Sequence, residues 1–219
     1  MTSYRLKPFQ SFQGLKFPDE SLIRHFFKNG LDKKQGTVLE LGCGNGVNLG
    51  LYAHFGWEVE GLDFSKSAIE QARFNLGDGA RLSTLDLTSD FSHALSGPYD
   101  ALLLPSVLYY MTKVQAERVL NLVRPYLKSK AQVYWRMRTK ADERYGKGQM
   151  IAPDSFILDI DHTGESGTVM SFYTKEELMV MAADLLDMVD ILPLHLRFDN
   201  VQNGQIVRNE EIIIWGRIG

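Results

Sequence analysis

Along the chain, short apolar runs alternate with longer stretches in which apolar residues recur every three or four positions. Val38, Leu39 and Leu41 form the first run, Trp57 to Leu62 the second, Ala80 to Leu85 the third, Tyr99 to Leu104 the fourth and Ala131 to Met137 the fifth. Short, mostly apolar runs are the pattern of strands buried on both faces of a parallel sheet. Between them, Val47 to Phe55 and Ser65 to Leu76 carry helical spacing, with Ser67-x-x-Glu70 resembling a capping box. Another helix opens at Thr112-x-x-Gln115, with Val119, Leu120, Val123, Tyr126 and Leu127 as its stripe. Strands and helices in this order predict βαβ units and an α/β fold.

The flanks follow other patterns. Pro18 and Asp19 open a short helix with Leu22, Ile23, Phe26 and Phe27 on one side, stopped by Asn29-Gly30. Ahead of it, Tyr4, Phe9, Phe12 and Phe17 stand in an irregular segment, expected to pack on the edge of the main domain. Near the other end, Thr174-x-x-Glu177 caps a helix with Leu178, Met181, Ala182 and Leu185 on one face. Strands Met188 to Phe198 and Ile206 to Trp215 follow, joined through the tight-turn signal Asn203-Gly204. Residues 139–170 carry no period and are expected to form a long loop. The expected division is an N-terminal segment and helix over 1–35 and a main domain over 36–219, with 139–170 as an insertion.

Composition narrows the classes. The 219 residues can bury a sizeable core, and the net charge of −3 without a basic run offers no general nucleic-acid footprint. The single cysteine, Cys43, excludes an internal disulfide and fits a reducing compartment. No 18 apolar residues run together, so the expectation is a cytoplasmic chain with no membrane partner.

The chemistry concentrates at Val38 to Gly50, where Gly42, Gly44 and Gly46 turn a strand into a helix. Such an elbow lets a ligand approach backbone without meeting a Cβ, and the helix start offers unpaired N–H groups. A dinucleotide fingerprint places its third glycine one residue later, where this chain has Val47. Glu40, just before the first glycine, would repel a pyrophosphate and suits a positively charged ligand. Asp63 closes the second run and Asp86 the third, each 23 residues after the preceding acidic strand end. A carboxylate at the tip of a second strand can accept from both hydroxyls of a ribose.

Glu40, Gly42, Gly44 and Gly46 match position by position the first motif of the class I S-adenosylmethionine-dependent methyltransferases, which the sequence resembles. The resemblance implies a three-layer Rossmann-like sandwich, with a mostly parallel seven-stranded sheet whose last strand is antiparallel, and offers a lid over the cofactor as the alternative role of the N-terminal segment. It implies S-adenosylmethionine as cofactor, held by the loop with Cys43, by Asp63 at the ribose, by Phe64 beside the adenine, and by Asp86 and the Leu87 amide at the adenine edge. Leu104 and Pro105 then match the fourth motif beside the reactive methyl, although Leu104-Pro105-Ser106-Val107 departs from the Asn-Pro-Pro-Tyr of base-amino and amide methyltransferases. Cytosine C5 chemistry is disfavoured because the sole cysteine sits in the cofactor loop.

On the acceptor side, Tyr109 and Tyr110 either face the pocket or pack under the next helix. Arg136 and Arg138 share one side of the fifth strand, where they hold an anionic acceptor group or pair with acids. The 139–170 segment, with Arg144, Tyr145, Lys147, Asp154, Asp159, Asp161 and His162, is the candidate for acceptor selection. Asp159-x-Asp161-His162 has no second ligand cluster, so no metal is expected. His162, His195 or a tyrosine would serve if a base is needed. The expected activity is O- or N-methylation of a small molecule, with oligomeric state open. The alternatives are a nicotinamide-dinucleotide oxidoreductase and an inactive cofactor-binding regulator.

Overall fold

Asp19 starts the first element of the computed structural model, which describes residues 11–219; Tyr4 and Phe9 lie outside the described residues. The Asp19 carboxylate accepts from the Ser21 and Leu22 N–H groups at 2.8 and 3.2 Å, capping α1 (Glu20–Lys28) where Pro18-Asp19 predicts a start. Leu22, His25 and Phe26 face inward, and the Phe26 ring meets Tyr52 edge-on at 4.8 Å. Asn29 follows as the C-cap.

β1 (Thr37–Leu41), α2 (Val47–His54), β2 (Glu58–Asp63), α3 (Lys66–Leu76), β3 (Arg81–Thr84) and β4 (Tyr99–Leu104) form the parallel units read from the apolar runs. β1 pairs in parallel with β2 and β4, setting Glu40 opposite Gly61 on one side and Leu103 on the other. Two local expectations are corrected. α3 is capped by Ser65, whose hydroxyl accepts from Ala68 N–H, so the box at Ser67 and Glu70 is not the one used. β3 is shorter than its apolar run, stopping two residues before Asp86.

α4 (Lys113–Val123) has the expected Thr112/Gln115 capping box. It ends earlier than its stripe predicted, because Pro125 cannot continue a helix. Tyr126 therefore lies in the turn that follows, and Leu127 begins β5 (Leu127–Arg138). Residues 139–170, expected as a loop, contain β6 (Gly148–Ala152), β7 (Ser155–Leu158) and β8 (Val169–Ser171), an antiparallel three-stranded sheet. Strands of three to five residues are too short for alternation to stand out, although Phe156 and Leu158 face inward around exposed Ile157. α5 (Lys175–Leu186) carries its predicted capping box. β9 (Met188–Gln202) and β10 (Gln205–Ile218) then join through Asn203 and Gly204, both at positive φ (46° and 78°), the hairpin turn that the pair predicts.

One seven-stranded sheet has the order β3-β2-β1-β4-β5-β10-β9. By compactness, the described residues of Met1–Pro105, Pro125–Tyr134 and Ile218 form one unit, and Ser106–Arg124, Trp135–Arg217 and Gly219 a second. No helix among the described residues is long and apolar enough to cross a membrane.

The second unit is pinned at one carboxylate. Asp154, in the β6–β7 turn, accepts from Lys113 Nζ at 2.9 Å, Lys140 Nζ at 2.7 Å and Tyr145 OH at 2.9 Å. Lys113 also donates to Glu177 at 2.7 Å, so the first turns of α4 and α5 share this cation. Partial burial opposes the Asp154 charge, but the bonds from Lys140, Lys113 and Tyr145 outweigh it and hold the carboxyl down at about 2.

Two stability predictions follow from these contacts. Gly46, the α2 N-cap at φ 76°, leaves an added Cβ 2.8 Å from Leu76 Cδ1 and 3.2 Å from Ala72 Cβ. Gly46→Ala is expected to cost about 1–3 kcal/mol in denaturant unfolding; an unchanged midpoint would contradict this. A carboxyl with a depressed folded pKa stabilises above its unfolded value and loses that contribution as pH falls through the folded one. Asp154→Asn is therefore expected to cost about 2 kcal/mol near pH 7. The gap from the native chain should close between about pH 4 and about pH 2, and a pH-independent difference would rule the coupling out.

Candidate functional site

The elbow is built by continuing the sheet past the end of β1. Gly42 and Cys43 donate to the Leu62 carbonyl at 2.8 and 3.0 Å, bringing the loop over the end of β2. There the Asp63 carboxylate accepts from Gly44 N–H at 2.8 Å through Oδ2 and from Ser65 N–H at 2.8 Å through Oδ1. Asp63 is thereby fixed beside the loop, and each oxygen keeps a lone pair for a further donor. An added Cβ on Gly44 would meet nothing within 4 Å, so the backbone there faces open space.

Glu40 lies beneath this loop, buried in β1. Its Oε1 accepts from Asn48 Nδ2 at 2.8 Å, whereas Oε2 is buried with no partner among the described residues. Burial, with the nearby Asp63 charge, outweighs the Asn48 bond and the Leu49 backbone N–H, pushing the Glu40 carboxyl up to about 8. Cys43 is buried too, and burial with the Glu40 and Asp63 charges drives its thiol strongly up, so it stays protonated.

The other cofactor-side candidates sit in the same unit. Phe64, following Asp63, is 79% exposed, an aromatic face without cover. Asp86 is exposed, and its Oδ1 accepts from Thr88 N–H and Oγ1, both at 2.8 Å, so part of its carboxylate caps its own turn. Leu87 is buried behind it, as are Leu104 and Pro105 at the end of β4.

In the second unit, Tyr109 and Tyr110 are neighbouring rings 4.5 Å apart, Tyr109 buried and Tyr110 exposed. Tyr110 OH donates to Glu165 at 3.0 Å, and the Arg138 guanidinium lies 5.1 Å from the Tyr109 ring centroid. Arg136 and Arg138 share one side of β5 as the alternation predicts, and both pair with acids. Arg136 Nε donates to buried Glu211 at 2.5 Å. Arg138 donates to Asp142 at 2.8 Å and Asn209 at 3.3 Å, with Glu211 3.5 Å away, while its Nε has no partner among the described residues. Arg144 joins them through Asp142, Asn209 and Glu165. Asp142 and Glu211 are buried and Glu165 half-buried, supplied by β10 and the 139–170 segment.

The candidate bases are engaged as well. His162 Nε2 is 3.3 Å from Glu143, beside a polar hollow of about 580 Å³ lined by Asp159 and Asp161. His195 Nε2 is 2.8 Å from Glu210, at a cavity of about 340 Å³ that Thr139, Lys175 and Pro193 also line.

Three asparagines around the elbow escaped sequence reasoning. Asn45 donates to the Gln13 and Leu15 carbonyls at 2.5 and 2.8 Å, and Asn75 both accepts from Gln13 N–H at 2.8 Å and donates to its carbonyl at 3.1 Å. Together they clamp the N-terminal segment onto the loop, with Phe12 buried and Leu15 and Phe17 exposed. Asn48 ties Glu40 to α1, since its Oδ1 accepts from Asp19 N–H at 3.2 Å. An asparagine inside a helical or glycine-rich stretch carries no period, and only its position between the motif glycines singles out Asn45.

The donor set fits S-adenosylmethionine. An unpartnered buried carboxylate suits an ammonium, Asp63 has capacity for hydroxyls, Gly44 faces open space and Phe64 offers a ring face. Residues 38–130 match the family model described as a methyltransferase domain. No curated protein sequence matches the chain. Among solved structures, a SAM-dependent methyltransferase from Methanosarcina mazei is similar over 92% of this chain and 99% of that one, at 19% identity and TM-score 0.66. The Burkholderia thailandensis 1,6-didemethyltoxoflavin-N1-methyltransferase, with 1,6-didemethyltoxoflavin and S-adenosylhomocysteine bound, covers 92% and 80%, at 14% identity and TM-score 0.61. The N-methyltransferase NodS from Bradyrhizobium japonicum, in complex with S-adenosylhomocysteine, covers 90% and 84%, at 13% identity and TM-score 0.58. At these identities the structural likenesses establish the fold. The matched segment, which holds the elbow and both acidic strand ends, is a methyltransferase domain by its likeness to that model, and the chain has the Rossmann-like fold of the S-adenosylmethionine-dependent methyltransferases it resembles.

Proposed function

We propose that the chain methylates an oxygen or nitrogen of a small-molecule acceptor. The observation that carries the cofactor half is the buried Glu40 carboxylate with one oxygen unpartnered, under a glycine loop held by Asp63. In this proposal Glu40 receives the ammonium of the cofactor's amino-acid tail and Asp63 the ribose hydroxyls. Phe64 covers the adenine, Asp86 accepts from its amino group through the oxygen not used in the turn, and the Leu87 amide meets a ring nitrogen. When bound, S-adenosylmethionine supplies a methyl group already made electrophilic by its sulfonium. Transfer is an in-line displacement, so the chain contributes chiefly positioning.

A small acceptor is supported by two observations. The chain has Leu104-Pro105-Ser106-Val107 where base-amino and amide methyltransferases carry Asn-Pro-Pro-Tyr, and the Burkholderia structure holds a small acceptor on the same fold. Tyr109, Tyr110 and Arg138 are the proposed acceptor-side residues, Arg138 through its unpartnered Nε–H. Arg136, held by Glu211, is proposed to steady them. Residues 139–170 are proposed as the acceptor-selecting insertion.

Asp63→Ala is expected to weaken S-adenosylhomocysteine binding by at least about tenfold, from the loss of two charge-assisted hydrogen bonds. It should also reduce incorporation of labelled methyl from S-adenosylmethionine into small hydroxyl and amine acceptors. Unchanged affinity would count against the ribose role, and tight binding without incorporation into any acceptor class would favour a non-catalytic protein. Glu40, with its free-state pKa near 8, is mostly protonated at pH 7, and a bound ammonium favours the charged form. Binding should release up to about one proton near pH 7, and affinity should rise with pH until about 8. Calorimetry in buffers of different ionisation enthalpy reads the release; identical enthalpies in all buffers, or a release that persists in Glu40→Gln, would show that Glu40 does not titrate on binding.

A further inference from the structure

β9 is the terminal strand of the seven-stranded sheet, hydrogen-bonded along one edge only. Most of its length is exposed, including Leu192 (54%), Leu194 (39%) and Phe198 (36%). His195 and Arg197 both reach Glu210, at 2.8 and 2.6 Å, whereas Asn200 meets Asn209. Leu194, Leu196, Phe198 and Asn200 therefore share the face opposite His195, Arg197 and Asp199.

The two halves of β9 differ as edges. The first half is blunted twice, by Asp190 at φ 53° and by Pro193, which has no N–H. The second half, Leu194–Gln202, has no proline, glycine or lysine to prevent pairing. Its only full charges are Arg197 and Asp199, and the Asp199 carboxylate makes no hydrogen bond or ion pair among the described residues.

We propose that two copies of this chain pair antiparallel through Leu194–Gln202, about a two-fold axis at Phe198, joining their sheets edge to edge. Side chains opposite each other across such an axis must share a face, so the axis passes through a residue and the register moves in whole residues. An axis at residue 197 sets Arg197 against Arg197, and one at 199 sets Asp199 against Asp199. The axis at 198 sets each Arg197 against the partner copy's Asp199 and stacks Phe198 on its own copy, both favourable cross-strand pairs. In this register residue 193 falls opposite the 203–204 turn, so the N–H that proline lacks is not needed. The charge pattern is thus self-complementary, as an isologous interface requires.

Light scattering across a concentration series to about 100 µM is expected to show a monomer–dimer equilibrium. Directly opposed Cα atoms lie about 4.5–5.5 Å apart, within disulfide range. Phe198→Cys should therefore form a dimeric disulfide under mild oxidation, while native Cys43, being buried, should not. Leu192→Cys places the two thiols about 40 Å apart along the strands and should cross-link much more slowly. Arg197→Asp and Asp199→Arg should each weaken the dimer by about tenfold, and the two combined should restore it. A native chain that stays monomeric throughout, cysteines at 198 and 192 that cross-link at equal rates, or a double variant no tighter than the single ones would each overturn the proposal.

Discussion

A carboxylate buried in a parallel sheet is the constraint on which the cofactor half depends. Removing Glu40 from water is costly unless its oxygens find donors, and Asn48 serves Oε1 while Oε2 has none. Asn48, which supplies it, is on the α2 face that follows the glycine loop, and the same amide receives Asp19 N–H at the start of α1. The loop therefore stays close to the end of β2, where Asp63 holds Gly44. The left-handed turn at Gly46, the orientation of α2 and the anchoring of the N-terminal segment by Asn45 and Asn75 all attend one small region. Burying Glu40 with one oxygen unpartnered costs stability there.

The second unit solves a different electrostatic problem. Three arginines, Arg136, Arg138 and Arg144, are buried or nearly so, and each is matched by Asp142, Glu165 or Glu211 with Asn209 between them. Buried pairs of this kind contribute more to a defined geometry than to net stability, because desolvation offsets much of the attraction. One N–H of Arg138 stays unpartnered, and Tyr109 lies over the same guanidinium. The carboxylates leave little net positive charge around the three guanidinium groups.

Much of this was readable along the chain, because the signals were local. The apolar runs marked β1, β2 and β4 closely, the capping boxes at Thr112 and Thr174 stand as spaced, and Asn203-Gly204 makes the hairpin turn. The glycine elbow was legible for the same reason, since Glu40 and its glycines lie within seven residues. What escaped was set by distant partners or by elements too short to repeat. Glu211 lies 75 residues from Arg136, and Gln13 lies 62 from Asn75. β6 to β8 never reach the length at which alternation shows, and α4 lost its last expected turn to Pro125 rather than to any change in apolar spacing.

The proposal for the cofactor half is that Glu40 and Asp63 select an adenosyl ligand bearing an ammonium over one bearing a pyrophosphate. Direct competition between S-adenosylhomocysteine and NAD for the native chain, followed by calorimetry, tests it. Stoichiometric binding of S-adenosylhomocysteine that NAD does not displace is the expected result. Preferential binding of NAD would contradict it.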